Sequence, residues 1–276
     1  MTLQQALLQG TELLEHAGIA VPRLTAEVLL GHALRQERAY LFAYPERELR
    51  EVEWIHYGRY LHERLQGKPT QYITGRQEFY GREFRVTSDV LIPRPETELV
   101  VETALTVAGD ARRMMDVGCG SGAIAITLKL ENKSAAVLAT DISGSALAVA
   151  AANAKRLGAS VGFAQCDLLA GIGSESIDLI ASNPPYVPLG DRTGLQREVR
   201  DYEPHVALFA GPTGFEIYAR LIEDAARVLR PGGWLVVELG FTSRDRVLEM
   251  LGERWCDVHV APDLARIPRV LAARRK

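Results

Sequence analysis

The sequence predicts an α/β protein whose mainly parallel, seven-stranded sheet is preceded by a small all-helical domain. Three observations carry this. Residues 1–68 place their apolar side chains at helical spacing throughout. From Arg112 onward, short apolar runs alternate with helix-length stretches, as in successive βα units. A chain of 276 residues also has the length for about two domains and at least one full core.

The helical part opens with Thr2 and Gln5, spaced as a capping box, followed by Leu3, Leu7, Leu14 and Ala17 up to Gly18. Pro22 starts a second helix through Glu27, Leu30 and Leu34, and a short third lies near 37–43. A fourth runs from Glu46 or Glu51 to Gln66, where Gly67 and Pro69 stop it. Residues 69–92 change period, with aromatic and β-branched residues around Gly81, and read as a β-hairpin linker between two domains, 1–68 and 93–276. Pro93 and Pro95 stiffen the backbone around Arg94, and a helix follows from Glu96 to Val107. Strands are expected at 112–117, 136–140, 160–164, 177–182, 233–239, 255–260 and 267–273, with a long irregular stretch at 186–211.

Hydrophobic residues at 47% and charged residues at 24% exclude wholesale disorder. Lys plus Arg number 32 against 35 for Asp plus Glu, a net charge of -3 that weighs against a nucleic-acid backbone as the main partner while leaving room for a local basic patch. Cys119, Cys166 and Cys256 form no CxxC pair, and the histidines form no HExxH spacing, so no metal site or disulfide framework is expected. The first residues lack the basic and apolar regions of a signal peptide, and no run approaches the roughly 20 apolar residues of a membrane span. A cytoplasmic protein is the expectation.

The first chemical signal is MMDVGCGSGAIAITL at 114–128. An apolar strand leads into Gly118, Cys119, Gly120, Ser121 and Gly122, whose glycines let a ligand approach the backbone at a helix N-terminus. Asp141, 19 positions beyond Gly122 at the end of the next strand, can accept hydrogen bonds from two ribose hydroxyls. This layout suits either a nicotinamide dinucleotide or S-adenosylmethionine. The second signal, IDLIASNPPY at 177–186, selects between them. Pro184 and Pro185 remove two N–H donors after a buried strand, so carbonyl groups and the Asn183 amide face the strand's C-terminal edge, with the Tyr186 ring beside them.

Asn183-Pro184-Pro185-Tyr186 with the glycine loop resembles the methyltransferases that modify amino groups on planar systems: adenine, guanine or glutamine amides. IPRPETE at 92–98, between a helical domain and the catalytic domain, narrows the resemblance to the peptide chain release factor N5-glutamine methyltransferases. PTQYITGRQEFYG at 69–81, DISGSAL at 141–147, Glu203 and Pro204 with Ala207, Leu208 and Gly211, and RPGGWLVVELG at 230–240 agree with that family. The resemblance covers nearly the whole chain and implies a Rossmann-like class I methyltransferase fold. One departure stands at 263–275, where DLARIPRVLAARR replaces the family's usual Asp-Leu-Ala-Gly-Arg-Asp-Arg-Val. The altered positions are expected at a strand entry remote from the reacting atoms.

The resemblance implies methyl transfer from S-adenosylmethionine to the glutamine of a Gly-Gly-Gln motif in class 1 release factors. The expected catalytic groups are Asn183, Pro184 and Tyr186. The cofactor would meet Gly118, Cys119, Gly120, Ser121, Gly122, Asp141 and Asn183, with Asp167 and Leu168 bordering adenine. Arg94, Glu96 and Thr97 would close the substrate side with Asn183, Pro184, Pro185 and Tyr186. Cys119 and Cys166 read as packing residues. The helical domain mixes Arg23, Arg35 and Arg38 with Glu12, Glu15, Glu27 and Glu37, which suits a protein-docking surface better than a nucleic-acid groove, and a monomer is expected. Competing readings are an N6-adenine or N2-guanine nucleic-acid methyltransferase, a ribosomal protein glutamine methyltransferase, and a non-catalytic nucleotide-binding regulator. An intact Asn183–Tyr186 motif speaks against the last.

Overall fold

The computed structural model describes residues 1–276 and divides them into two compact units, Met1–Arg76 with Gln196–Tyr202, and Gln77–Leu195 with Glu203–Lys276. The first unit contains α1 (Leu3–His16), α2 (Pro22–Leu34), α3 (Arg38–Ala43), α4 (Glu51–Leu65) and α5 (Thr70–Thr74). Both bonds of the capping box form: Gln5 N–H donates to Thr2 Oγ1 at 3.2 Å, and Thr2 N–H to Gln5 Oε1 at 3.0 Å. Leu3, Leu7 and Leu14 of α1 pack with Leu29 and Leu30 of α2 and Tyr57 and Leu61 of α4. A Cβ at Gly10 would collide with the Tyr57 hydroxyl, so the close approach of these helices requires glycine there.

Part of the expected surface charge is turned inward. Glu27 is buried and accepts from Arg23 Nε at 2.8 Å and from Arg38. Glu53, also buried, accepts from Arg47 Nη2 at 2.9 Å and Arg50 Nη2 at 2.7 Å. Burial raises the Glu53 carboxyl, but the hydrogen bonds from Arg47 and Arg50 outweigh it and bring it down from 4.5 to about 2. Its stabilising contribution is therefore complete above pH 4.5 and is lost as the pH falls toward about 2. Because Arg50 remains largely exposed, Glu53→Ala is expected to cost about 2 kcal/mol in urea unfolding at pH 7, below the full cost of breaking a buried pair. That difference should shrink toward pH 2; a loss under about 0.5 kcal/mol at pH 7 would show the cluster to be energetically neutral.

The second unit begins with a hairpin, β1 (Arg76–Phe79) and β2 (Arg82–Arg85), whose turn residues Tyr80 and Gly81 both have positive φ, 52° and 67°. Phe79 and Phe84 cross edge to face with centroids 6.0 Å apart and sit in the core of this unit. The hairpin thus belongs to the sheet-bearing unit, and residues 70–74, expected in the linker, form α5 of the helical unit. The aromatic pair gives the hairpin a hydrophobic face that a free linker would leave in water.

The remaining elements are α6 (Glu98–Ala108), β3 (Arg113–Val117), α7 (Ala123–Glu131), β4 (Ala136–Asp141), α8 (Gly144–Leu157), β5 (Val161–Gln165), β6 (Ile177–Ser182), β7 (Val187–Pro188), α9 (Arg197–Tyr202), α10 (His205–Leu208), β8 (Phe209–Gly211), α11 (Glu216–Val228), β9 (Leu229–Glu238), α12 (Arg244–Leu251), β10 (Trp255–Pro262) and β11 (Pro268–Arg275). Seven strands form one sheet in the order β10-β11-β9-β6-β3-β4-β5. Only the pairings of β11, with β10 and β9, are antiparallel. Side chains alternate between two cores: Met114 faces one with Val100 and Ile126, while Met115 faces the other with Tyr218 and Leu221. Every residue of β6 is buried, as a central parallel strand requires.

The stretch 186–211 is not irregular. It holds β7, a 3-10 turn at Leu189–Gly194, α9, α10 and β8, each too short to impose a period on the sequence. Within it α9 belongs to the helical unit, where Glu198 pairs with the buried Arg64 at 2.7 Å and the Tyr202 hydroxyl donates to the Gln66 carbonyl at 3.1 Å. No helix is long and apolar enough to cross a membrane.

Candidate active site

The site follows from strand order. β3 lies between β4 and β6, so the chain runs outward through β4 and β5 and then returns to the other side of β3 at β6. At this switch point the adjacent strand ends Val117 and Ser182 pair in register, and the glycine loop and Asn183-Pro184-Pro185-Tyr186 leave them side by side. The glycine loop, Asn183 and Pro185 border a cleft with a cavity volume of about 230 Å³.

The glycine loop is held from behind. Gly118 and Cys119 N–H groups both donate to the Thr140 carbonyl, at 2.9 and 3.0 Å. Asp141 then uses both carboxylate oxygens, accepting Gly120 N–H at Oδ2 and Ser143 N–H at Oδ1, each at 2.9 Å. Gly118 and Gly120 adopt φ of 71° and 52°, and a Cβ on either would meet no protein atom within 4 Å. Their missing side chains leave a cradle open along the cleft wall. Gly122 serves differently: a Cβ there would strike Ile126 and Ala150, so it permits α7 and α8 to pack and does not line the cleft.

Beneath the loop, Asp116 is fully buried, with Oδ2 accepting Ala125 N–H at 3.0 Å and Oδ1 unpaired. Burial pushes its carboxyl up to about 7, against the Ala125 hydrogen bond and with the Asp141 charge adding to the rise. Burial also pushes the Cys119 thiol well up, with Asp116 and Asp141 reinforcing it, so Cys119 stays protonated and is no nucleophile. Asp167 and Leu168 line the cleft, and Asp167 Oδ2 accepts from Arg220 Nη2 at 2.7 Å. Arg220, from α11, had no motif to announce it. Neither did Asn153 of α8, whose side chain is bonded to both backbone groups of Arg85 and, at 3.0 Å, to the Ser121 carbonyl, tying the hairpin to the loop.

Across the cleft stand Asn183 and Pro185 from the β6 end, with Arg94 and Thr97 from the IPRPETE segment. Asn183 Nδ2 donates to Thr97 Oγ1 at 3.1 Å, and Thr97 Oγ1 donates to Glu238 Oε2 at 2.5 Å. Asn183 Oδ1 takes no hydrogen bond from the protein. Arg94 is engaged by the buried Glu203, which also accepts Ile92 N–H at 3.3 Å. Glu96 is exposed and outside the cleft. Pro184 is buried, and Tyr186 packs against Gly240 beside a second depression that includes Phe241. Burial pushes the Tyr186 phenol up to about 12, with the Glu238 charge assisting. No group of three or more His, Cys, Asp or Glu side chains is arranged to hold a metal ion.

The altered positions stand at the entry to β11, as expected, and the residue that follows them, Arg269, reaches toward this site. Arg269 contributes its carbonyl to Leu239 N–H at 2.7 Å, and its charge acts on Glu238 and Tyr186. Arg269 is retained from the family pattern; the changed residues are Arg266, Ile267 and Pro268. Arg266 sits at φ 63°, in the left-handed region, where the family pattern has glycine. Arg266→Gly is expected to stabilise the protein by about 1 kcal/mol, read from the urea midpoint with activity unchanged. Destabilisation by the glycine would mean that the Arg266 side chain contributes more than its backbone strain costs.

Two solved methyltransferases share this architecture. The catalytic domain of hMettl16, solved in complex with MAT2A 3′UTR hairpin 6, aligns with a TM-score of 0.56 at 19% identity, covering 79% of this chain and 81% of that one. A ribosomal protein L11 methylase from Lactobacillus delbrueckii subsp. bulgaricus aligns at 0.50 and 20% identity, over 72% of this chain and 88% of that one. Residues 95–196 match the methyltransferase small domain, and the fold is that of the class I methyltransferases.

Residues 5–75 match the PrmC N-terminal domain. The release factor glutamine methyltransferase of Koribacter versatilis is 47% identical over 278 residues, covering 100% of this chain and 99% of the relative. That of Bacillus subtilis is 39% identical over 282 residues, covering 99% and 97%. The chain belongs to the release factor glutamine methyltransferase family.

Proposed function

We propose that this enzyme methylates the side-chain amide nitrogen, N5, of the glutamine in the Gly-Gly-Gln motif of class 1 peptide chain release factors, tuning translation termination. The methyl donor is S-adenosylmethionine, which carries an electrophilic methyl on a sulfonium whose sulfur keeps the bonding pair when the methyl leaves. The open cradle at Gly118 and Gly120 fits such a ligand, and Asp141 retains acceptor capacity for a ribose. Asp167 and Leu168 would border the base, with Ser121 and Cys119 completing the loop side.

The observation that carries the reading is that Asn183 lines the same cleft and commits its Nδ2 to Thr97, leaving Oδ1 to accept. A glutamine nitrogen is a poor nucleophile because its lone pair is delocalised into the carbonyl. In this reading Asn183 Oδ1 and the Pro184 carbonyl accept its two hydrogens and aim the lone pair at the methyl carbon. Both bonds strengthen as positive charge develops on nitrogen, so they stabilise the transition state more than the ground state. Tyr186 would hold the amide plane by its ring face. The alkylated nitrogen becomes strongly acidic and loses its proton to water, so no dedicated base is needed. Arg94, fixed by Glu203, would border the substrate side, and the helical unit would grip a second part of the release factor. The free enzyme is taken as a cytoplasmic monomer that needs no direct nucleic-acid contact.

The test is incubation with methyl-labelled S-adenosylmethionine and, separately, unmodified release factor, ribosomes and DNA, followed by mapping of the label. Label on the Gly-Gly-Gln glutamine is expected. Label only in nucleic acid, or only on a ribosomal protein, would overturn the substrate assignment while keeping the amino-group chemistry.

A further inference from the structure

An asparagine amide has two ends of nearly equal size and opposite hydrogen-bonding sense. If Asn183 is to accept from a substrate NH₂ group, its own NH₂ must be held away; reversed, it would set donor against donor. The contact that imposes a direction is Thr97. A hydroxyl has one proton to give and lone pairs to receive with, and an ionised carboxylate can only accept. With the Thr97 proton directed to Glu238, the Thr97 oxygen is left as an acceptor, and only the Nδ2 end of Asn183 can satisfy it.

We propose that Thr97 and Glu238 are positioning residues for methyl transfer: Glu238 orients the Thr97 hydroxyl, Thr97 captures Asn183 Nδ2, and Oδ1 alone is thereby presented to the substrate nitrogen. This rests on the reading of Asn183 as the acceptor for the glutamine amide. The burial of the pair supports it. Thr97 is 5% exposed and Glu238 3%, and a carboxylate in such a place is costly unless its charge has a use. The neighbouring arginines act on it only through space, since Arg269 Nε is bonded to Asp263 at 2.9 Å and Arg94 to Glu203. The end of β9 that carries Glu238 is itself fixed, since the Tyr218 hydroxyl donates to the Glu238 carbonyl at 2.7 Å and accepts Gly240 N–H at 3.2 Å.

The arrangement has a pH consequence. The groups facing Glu238 are Arg94, Glu96 and Thr97 from the IPRPETE segment, Arg269 from β11, Tyr186 after β6 and Tyr218 from α11. Burial raises the Glu238 carboxyl most, the Thr97 hydrogen bond and the Arg269 charge oppose it, and it stands at about 7. Once protonated, Glu238 can donate to Thr97, the hydroxyl is free to turn toward Asn183, and the direction of the amide is lost. Transfer should therefore slow as the pH falls through about 7. Asp116, also near 7, lies under the cofactor loop and would act on donor affinity instead.

The test is single-turnover methylation of unmodified release factor at saturating labelled S-adenosylmethionine from pH 6 to 9, with donor affinity measured by calorimetry and folding checked by thermal unfolding. Thr97→Val keeps the side-chain volume, and its transfer rate should fall by about 10- to 100-fold, the scale of a misaligned reacting group, while donor affinity stays within about threefold. Thr97→Ser, which restores the hydroxyl, should recover to within about threefold of wild type. Glu238→Gln should lose the acid limb near pH 7. Wild-type transfer by Thr97→Val, with Asn183→Ala slow in the same assay, would overturn the proposal. So would Thr97→Ser as slow as the valine variant, or an acid limb retained by Glu238→Gln. Failure of wild type itself to label the glutamine would overturn the substrate reading, and the relay with it.

Discussion

Asn183→Ala is expected to slow methyl transfer by ~100-fold or more while leaving S-adenosylmethionine affinity within about threefold of wild type. The asymmetry follows from the geometry. The side chain gives its Nδ2 to Thr97 and keeps Oδ1 for the cleft, so its loss removes an acceptor that gains strength as the attacked nitrogen becomes cationic. The glycine loop and Asp141 keep their own bonds to Thr140, Gly120 and Ser143, none of which passes through Asn183. In single-turnover kinetics with release factor, the rate at saturating donor should drop while the donor's dissociation constant holds. A rate within threefold of wild type would remove Asn183 from the chemistry.

Asp141→Ala should do the opposite. Its two oxygens hold the Gly120 and Ser143 N–H groups, and each such charge-assisted bond contributes about 1.5–3 kcal/mol. Alanine would leave both N–H groups unpaired, let the loop relax and remove the proposed ribose acceptor. Calorimetric affinity for S-adenosylmethionine is expected to fall by about 100-fold, equivalent to about 3 kcal/mol, with the transfer rate at saturation reduced less than about fivefold. Unchanged affinity would show that the loop holds its shape without the carboxylate and that the ribose is bound elsewhere. Together the two variants separate donor binding from transfer, as two loops on adjacent strands should allow.

Much of this was readable in the residues. The seven strands stood out because β6 and its neighbours are short apolar runs separated by helix-length segments, a pattern a parallel sheet covered on both faces imposes. The Thr2–Gln5 cap was visible for the same local reason, being a bond between residues three apart. What escaped notice lacked local signal. Residues 186–211 contain elements of two to six residues, shorter than a period can reveal, and α9 belongs to a unit whose other helices lie far upstream. Residues 70–74 read as extended from their β-branched content, yet form a helix over the helical core, where Ile73 is buried.

At the site, the glycine loop, Asp141 and Asn183 through Tyr186 each stand at the end of an apolar strand, β3, β4 and β6, so the sequence by itself singled them out as candidates, together with the family and the α/β fold. Glu238 could not be found that way. It ends a strand 55 positions from Asn183 and 141 from Thr97, and looks like any acid in RPGGWLVVELG. Only the sheet order, which lays β9 beside β6, and the 3-10 turn at Pro95–Thr97 ahead of α6 make it Thr97's partner. The same holds for Gly122, whose place in the motif suggests a cleft wall but whose α-carbon faces Ile126 and Ala150. A linear motif fixes which chemical groups are available. The directions in which they point are set by hydrogen bonds between residues far apart in the chain, and the tertiary structure alone decides those.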